Sequence, residues 1–396
     1  MSLNLGILSL SVGRASVHSF EHKCDALQAS GFRGIELFIE DLETIAAALP
    51  GGLNNENRIG AAHQIRAICD ARKLEIIDLQ PLLFFGGLID RQAHAAQLAK
   101  LRLWFDLIAI LGTDLIHVPT NFQAEGITGD IEAIVADMTE IADLGLAQKP
   151  PVRLVYEAMA WGRFVDTWEQ AWEVVLRVNR PNFGICLDTF QIAGRIWADP
   201  TTPSGRLDGG DLELKKSLSR MSSYIGKRPE KLFLVQTGDA ERLSSPITKD
   251  HPLHVDGQDP RMTWSRNARL FADDPKGNCF LKGPVDQICH VIFNELKYTG
   301  WVSCEVYSTS LFDPDPSVPF QHARRAADGW KSVLKTLEVQ RKGSEAVRSH
   351  RVSKERKDYS WLPSAWRIAP TNMVIAFFVV AICTLCPLVL SKSTFA

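Results

Sequence analysis

The sequence of 396 residues predicts a (β/α)8 TIM barrel, an α/β fold, on three observations. Short runs rich in β-branched and aromatic residues alternate with amphipathic stretches about eight times before residue 340, the rhythm of parallel strands joined by helices. Eight such units in roughly 340 residues suit a closed barrel. The first strand is followed by Ser9-Leu10-Ser11-Val12-Gly13-Arg14, whereas the rival open sheet usually places a glycine-rich phosphate turn there.

In chain order, strands are expected at 3–11, 34–41, 75–82, 114–120, 152–158, 183–189, 231–237 and 301–307. Each is a short apolar run. Helices fall between them, as at 90–111 and 130–147, where apolar residues recur at three- and four-residue spacing. The stretch 238–283 has no period and is rich in Pro, Gly, Asp, His and Arg. It reads as one long loop, and a loop of that length on a compact barrel is usually functional.

After residue 340 the pattern changes, and three parts follow from it: a barrel over 1–340, a basic and disordered linker over 341–372, and an apolar segment over 373–390. The last is broken only by Thr384 and Pro387 and is just long enough to cross a bilayer. With basic residues before it, it reads as a tail anchor that leaves the barrel in the cytoplasm. The competing reading is a mispredicted exon. The net charge of −2 is therefore an average of a body at −8 and a tail at +6, and an acidic body of this kind is no nucleic-acid binder. Six of the eight cysteines are scattered through the body, while Cys383 and Cys386 form a CxxC inside the apolar run. They read as reduced thiols.

Four expected strands end alike, in an apolar run and then one oxygen-bearing side chain: Glu157, Asp188, Gln236 and Glu305. In a barrel the C-terminal strand ends open into one site, so these four converge. Three buried carboxylates repel unless a cation lies between them, and carboxylate and amide oxygens suit Mg2+ or Mn2+. The long loop adds Arg261 and Arg266, which with Arg14 are candidates to clamp a substrate carboxylate. It also holds His251 and His254, candidates for proton transfer. Glu36, Gln80, His117 and Asn121 are further polar strand-end residues, and Glu36 reads as a base or a hydrogen-bond orienter. Cys186 reads as packing.

Several segments carry a family resemblance: Gly34-Ile35-Glu36-Leu37-Phe38, Val165-Asp166-Thr167-Trp168-Glu169, Arg180 to Phe190, Gly194 to Pro200 and Arg261 to Asn267. Over residues 3 to 340 the chain resembles fungal 3-dehydroshikimate dehydratases, xylose-isomerase-like TIM barrels. The resemblance implies a hydro-lyase that converts 3-dehydroshikimate to protocatechuate in quinate and shikimate catabolism. It also implies a divalent cation, Mg2+, Mn2+ or Co2+, on Glu157, Asp188, Gln236 and Glu305. Bacterial relatives carry a His three residues after the strand-six Asp. Gln191 stands there in this chain, so it is expected to bind substrate, and the acid/base role moves to His254, His251 or Glu36, in that order. The alternatives are another metal-dependent sugar or cyclitol isomerase, epimerase or dehydratase, against which the Arg-rich loop argues, and a membrane-tethered binding module without activity.

Overall fold

The structure, a computed structural model, describes residues 3–358, with side chains placed as far as residue 342. Eight parallel strands close into a barrel: β1 (Asn4–Leu8), β2 (Gly34–Phe38), β3 (Glu75–Gln80), β4 (Leu115–Pro119), β5 (Arg153–Glu157), β6 (Phe183–Asp188), β7 (Leu232–Thr237) and β10 (Trp301–Cys304). Each pairs with the next, and β10 returns to β1. Two-residue strands β8 (Asp239–Ala240) and β9 (Arg269–Leu270) form a separate antiparallel pair.

Every expected strand is present, but the first two end early, the second giving way at once to the helix Ile39–Ala48. Ser9–Val12 is a 3-10 turn because its serines are spent on cross-links. Ser9 Oγ donates to Asp41 at 2.7 Å and accepts from the Phe38 backbone at 2.9 Å, and Ser11 Oγ accepts from the Val306 backbone at 2.8 Å. The last strand stops at Cys304, which leaves Glu305 at the mouth and bonded through its backbone to Thr237.

The helices bury one stripe each. Trp168–Val178 starts at a Thr167/Gln170 capping box and buries Trp168, Ala171, Trp172, Val174, Val175 and Val178, the three- and four-residue spacing of a packed face. Arg91–Leu111 stops at Gly112, whose φ of 74° suits glycine. Inside the barrel a small apolar layer of Ile77, Leu115, Val155, Cys186 and Leu234 fills the lower part. Polar side chains occupy the space above it.

The stretch 238–283 is more ordered than a loop. It contains β8, the helix Pro260–Ala268 and β9. Asp259 caps this helix, accepting from the Arg261 backbone at 2.7 Å, and Pro260 occupies its first turn, a start signal present in the sequence. A compact unit closes at Glu338. The backbone expected to be a disordered linker from 341 is helical to the end of Val318–Asp358, where the sequence holds no proline. The rest of that linker, the 373–390 segment and the CxxC lie outside the described residues. Among the described residues no helix is long and apolar enough to cross a membrane.

Candidate active site

The register of the barrel strands sets the site. Asp188 pairs with Gln236, and Glu157 with Cys186, which lies one layer below Asp188 on the same strand, so Glu157, Asp188 and Gln236 share the interior at the C-terminal mouth. Glu157, Asp188 and Glu305 are buried at 4 %, 1 % and 4 % exposure, and each offers an oxygen within 4.8 Å of the others. Glu157 Oε1 and Glu305 Oε2 have no hydrogen-bond partner. Burial pushes the Glu305 carboxyl well above its ordinary range, with Arg269 working the other way. Burial also raises Glu157, against the pull of His117. Orphaned, buried carboxylate oxygens are the donor set a hard divalent cation satisfies, so the residues fit a metal.

One organic cation is already there. Arg269, at 1 % exposure, donates from Nη2 to Asp188 at 2.7 Å and from Nη1 to Glu305 at 3.4 Å. Its guanidinium carbon lies 4.5 Å from the Phe190 ring centroid. The Arg-rich segment was legible in the sequence, yet the choice among its arginines was not. Helix Pro260–Ala268 ends just before Arg269, and the return of the chain along β8 turns that side chain inward.

A second polar layer lies beneath. Glu36, fully buried, accepts from Gln80 Nε2 at 2.8 Å and from Gln236 Nε2 at 3.1 Å. His117 Nε2 bonds Glu157 Oε2 at 3.0 Å, and its Nδ1 lies 3.3 Å from Asp78. Burial works to raise the Glu36 carboxyl, but His117 outweighs it and leaves Glu36 below the ordinary range. Burial works to lower the His117 imidazole, but Asp78, Glu157 and Glu36 lift it well above its ordinary value. Burial and the Glu36 charge push Asp78 well up. Glu36, Asp78 and His117 also cluster closely enough for a cation, but the Glu36 oxygens already hold two amide donors.

The other expected residues are spread around the mouth. Arg261 donates to the carbonyls of Gly194 and Ala198 at 2.9 and 3.1 Å, so its fork is committed to the helix Thr189–Ile196 and the turn after it. Arg266 is exposed, bonds Gln258 at 3.2 Å, and stands near Arg14 and Tyr307. No carboxylate among the described residues lies within ion-pair distance of it. Arg14 pairs with Glu40 and lies 5.0 Å from the Phe312 ring centroid. Gln191 accepts from the Ala160 backbone at 2.8 Å, which leaves its amide nitrogen 3.6 Å from Met159 sulfur. His251 accepts from the Leu253 backbone, and His254 bonds Asp256 at 3.0 Å, so neither is bonded to Glu157, Asp188 or Glu305. A third cluster, His94, Asp137 and Glu140, lies between two outer helices. Gly87 and Arg91 already occupy Asp137.

A closed parallel barrel with buried acids at its C-terminal mouth defines the class, and residues 24–337 match the family described as xylose isomerase-like TIM barrel. The chain belongs to that family, and within it to the group of the 3-dehydroshikimate dehydratases. It is 42 % identical over 347 residues to the curated Neurospora crassa 3-dehydroshikimate dehydratase, covering 86 % of this chain and 96 % of that protein. It is 29 % identical to the Pseudomonas aeruginosa 3-dehydroshikimate dehydratase over 79 % of this chain and 39 % of the bacterial one. A solved xylose isomerase-like TIM barrel/4-hydroxyphenylpyruvate dioxygenase fusion protein matches with a TM-score of 0.63 and 25 % identity, over 87 % of this chain and 45 % of that one.

Proposed function

We propose that this chain is a hydro-lyase that eliminates water from 3-dehydroshikimate to give protocatechuate. The observation that carries the reading is the trio Glu157, Asp188 and Glu305, buried together with orphaned oxygens, in a chain that matches a named dehydratase over nearly its whole length. Glu157, Asp188, Gln236 and Glu305 would hold a divalent cation, Mg2+, Mn2+ or Co2+. When bound, such an ion polarises a carbonyl and makes the adjacent C–H more acidic.

The chain's own residues do the remaining work. Arg269 places a fixed positive charge between Asp188 and Glu305, where it can stabilise oxyanion character on the ring. Arg266, with no acid of its own, and Arg14 beside it form the cationic edge that receives the ring carboxylate. Arg261 directs its guanidinium to two backbone carbonyls and is less suited to that task. Gln191 contributes through its amide nitrogen. Glu36 is enclosed and holds amides, so proton abstraction falls to the loop, where His254 is preferred over His251 because its one side-chain partner is the exposed Asp256. The hydroxyl β to the carbonyl then takes up a proton and leaves as water, and enolisation of the resulting cyclohexadienone gives the aromatic product.

The second reading, a sugar or cyclitol enzyme, is disfavoured by the arginines at the mouth, which neutral substrates do not need. Full-length protein supplied with Mn2+ should convert 3-dehydroshikimate, read by the ultraviolet absorbance of protocatechuate, and leave ketohexoses and inososes unchanged. The reverse pattern would replace the proposal with the second reading.

A further inference from the structure

We infer that Glu36 and His117 are positioning residues that set the polarity of two metal-facing side chains, Gln236 and Glu157. The inference rests on the proposed ligand set and adds what orients it. An amide has a donating and an accepting end, and only the accepting end can bind a cation. Glu36 is fully buried, and an ionised carboxylate only accepts. It takes Nε2 of Gln236 at 3.1 Å and Nε2 of Gln80 at 2.8 Å, which turns both amides the same way. The Oε1 of Gln236 is then left with a single partner, the weak Cys186 thiol donor at 3.3 Å. Asp188, its register neighbour, lies beside it.

His117 acts likewise on Glu157. Its Nε2 donates to Oε2 at 3.0 Å, and Oε1 is left buried without a partner. Each layer-two residue thus occupies one atom of a ligand side chain and frees the other. Outer partners of this kind govern metal affinity in many sites. Buried Arg269 likewise touches the other two proposed ligands, Asp188 and Glu305.

Mn2+ affinity of the full chain, measured by calorimetry and by the electron paramagnetic resonance of free Mn2+, tests the inference. In E36Q the new amide can donate or accept, so Gln236 loses its imposed direction. Affinity should fall about 10- to 100-fold while the melting temperature of the metal-free protein stays close to the parent. The reciprocal variant E36Q/Q236E keeps the same hydrogen bond with the donor on the other side, and should return Mn2+ affinity to the parent's range. Parent-like affinity in E36Q, or a double variant as weak as E36Q, would overturn the inference. If E36Q fails to fold, H117Q reads the same claim at Glu157, with weaker binding expected and parent-like binding contradicting it. E305Q separates the two levels: if it binds Mn2+ like the parent, the ligand set is wrong, whereas loss in E305Q with none in E36Q defeats the positioning role alone.

Discussion

Glu305 stands one residue beyond β10 with one oxygen near Arg269 and the other unpartnered. Burial holds its proton well above the usual carboxylate range, so a cation must displace that proton to bind. Mn2+ uptake should accordingly release protons, measurable in weakly buffered solution, and should weaken as pH falls. At the mouth, Arg266→Ala removes a charged contact to the substrate carboxylate. Loss of such a hydrogen bond costs about 1.5–3 kcal/mol, so KM should rise roughly ten- to a hundredfold while kcat changes little. A His254→Gln variant should instead lower kcat by about 10²–10⁴-fold. Unchanged kcat would remove His254 from the reaction. The acids and Gln236 were legible as residues because strand ends face the mouth of any such barrel. Arg269 was not, since its direction depends on where the helix Pro260–Ala268 stops.

Among elements, the turn after β1 shows how a local sequence is overruled by packing. Residues 3–11 read as one apolar strand, yet Ser9 and the Lys23–Asp41 pair stop it at Leu8. Lys23 Nζ lies 2.6 Å from Asp41, with the two side chains at 0 % and 1 % exposure. The pair fastens the helix Phe20–Ala29 to Ile39–Ala48. Lys23→Ala would leave the Asp41 charge buried alone, and should destabilise the protein by about 3–5 kcal/mol in denaturant titration. A Lys23→Met/Asp41→Leu double variant should recover most of that loss. Strands were readable because all eight are short apolar runs. The order within 238–283 was harder to see, because two-residue strands and a nine-residue helix leave little periodicity. Only Asp259-Pro260 marked it.

For the molecule as a whole, the closed barrel and its site follow from a repeated pattern, whereas the coupling between layers does not. Nothing in the sequence places Glu36 under Gln236, since that depends on barrel closure across 200 positions of chain. The fold also carries a pH signature outside the proposed ligand set. Burial raises the Asp239 carboxyl to about 7, against backbone donors from Ala240 and Leu281. The folded state holds this proton more tightly than the unfolded chain, so the contribution is full below about pH 4 and is lost as pH rises to about 7. Relative to the parent, Asp239→Asn should therefore gain stability steadily over that window, by up to about 4 kcal/mol.

The central claim is that the acids at the mouth make a dehydratase that depends on a divalent cation. Its most direct test is back-titration of chelator-stripped full-length protein with Mn2+ while protocatechuate formation from 3-dehydroshikimate is followed. The account predicts a rate that rises with Mn2+ to a plateau near one ion per chain, and no such rise in E305Q. A rate indifferent to Mn2+, or no product with Mn2+ bound at the site, would contradict it.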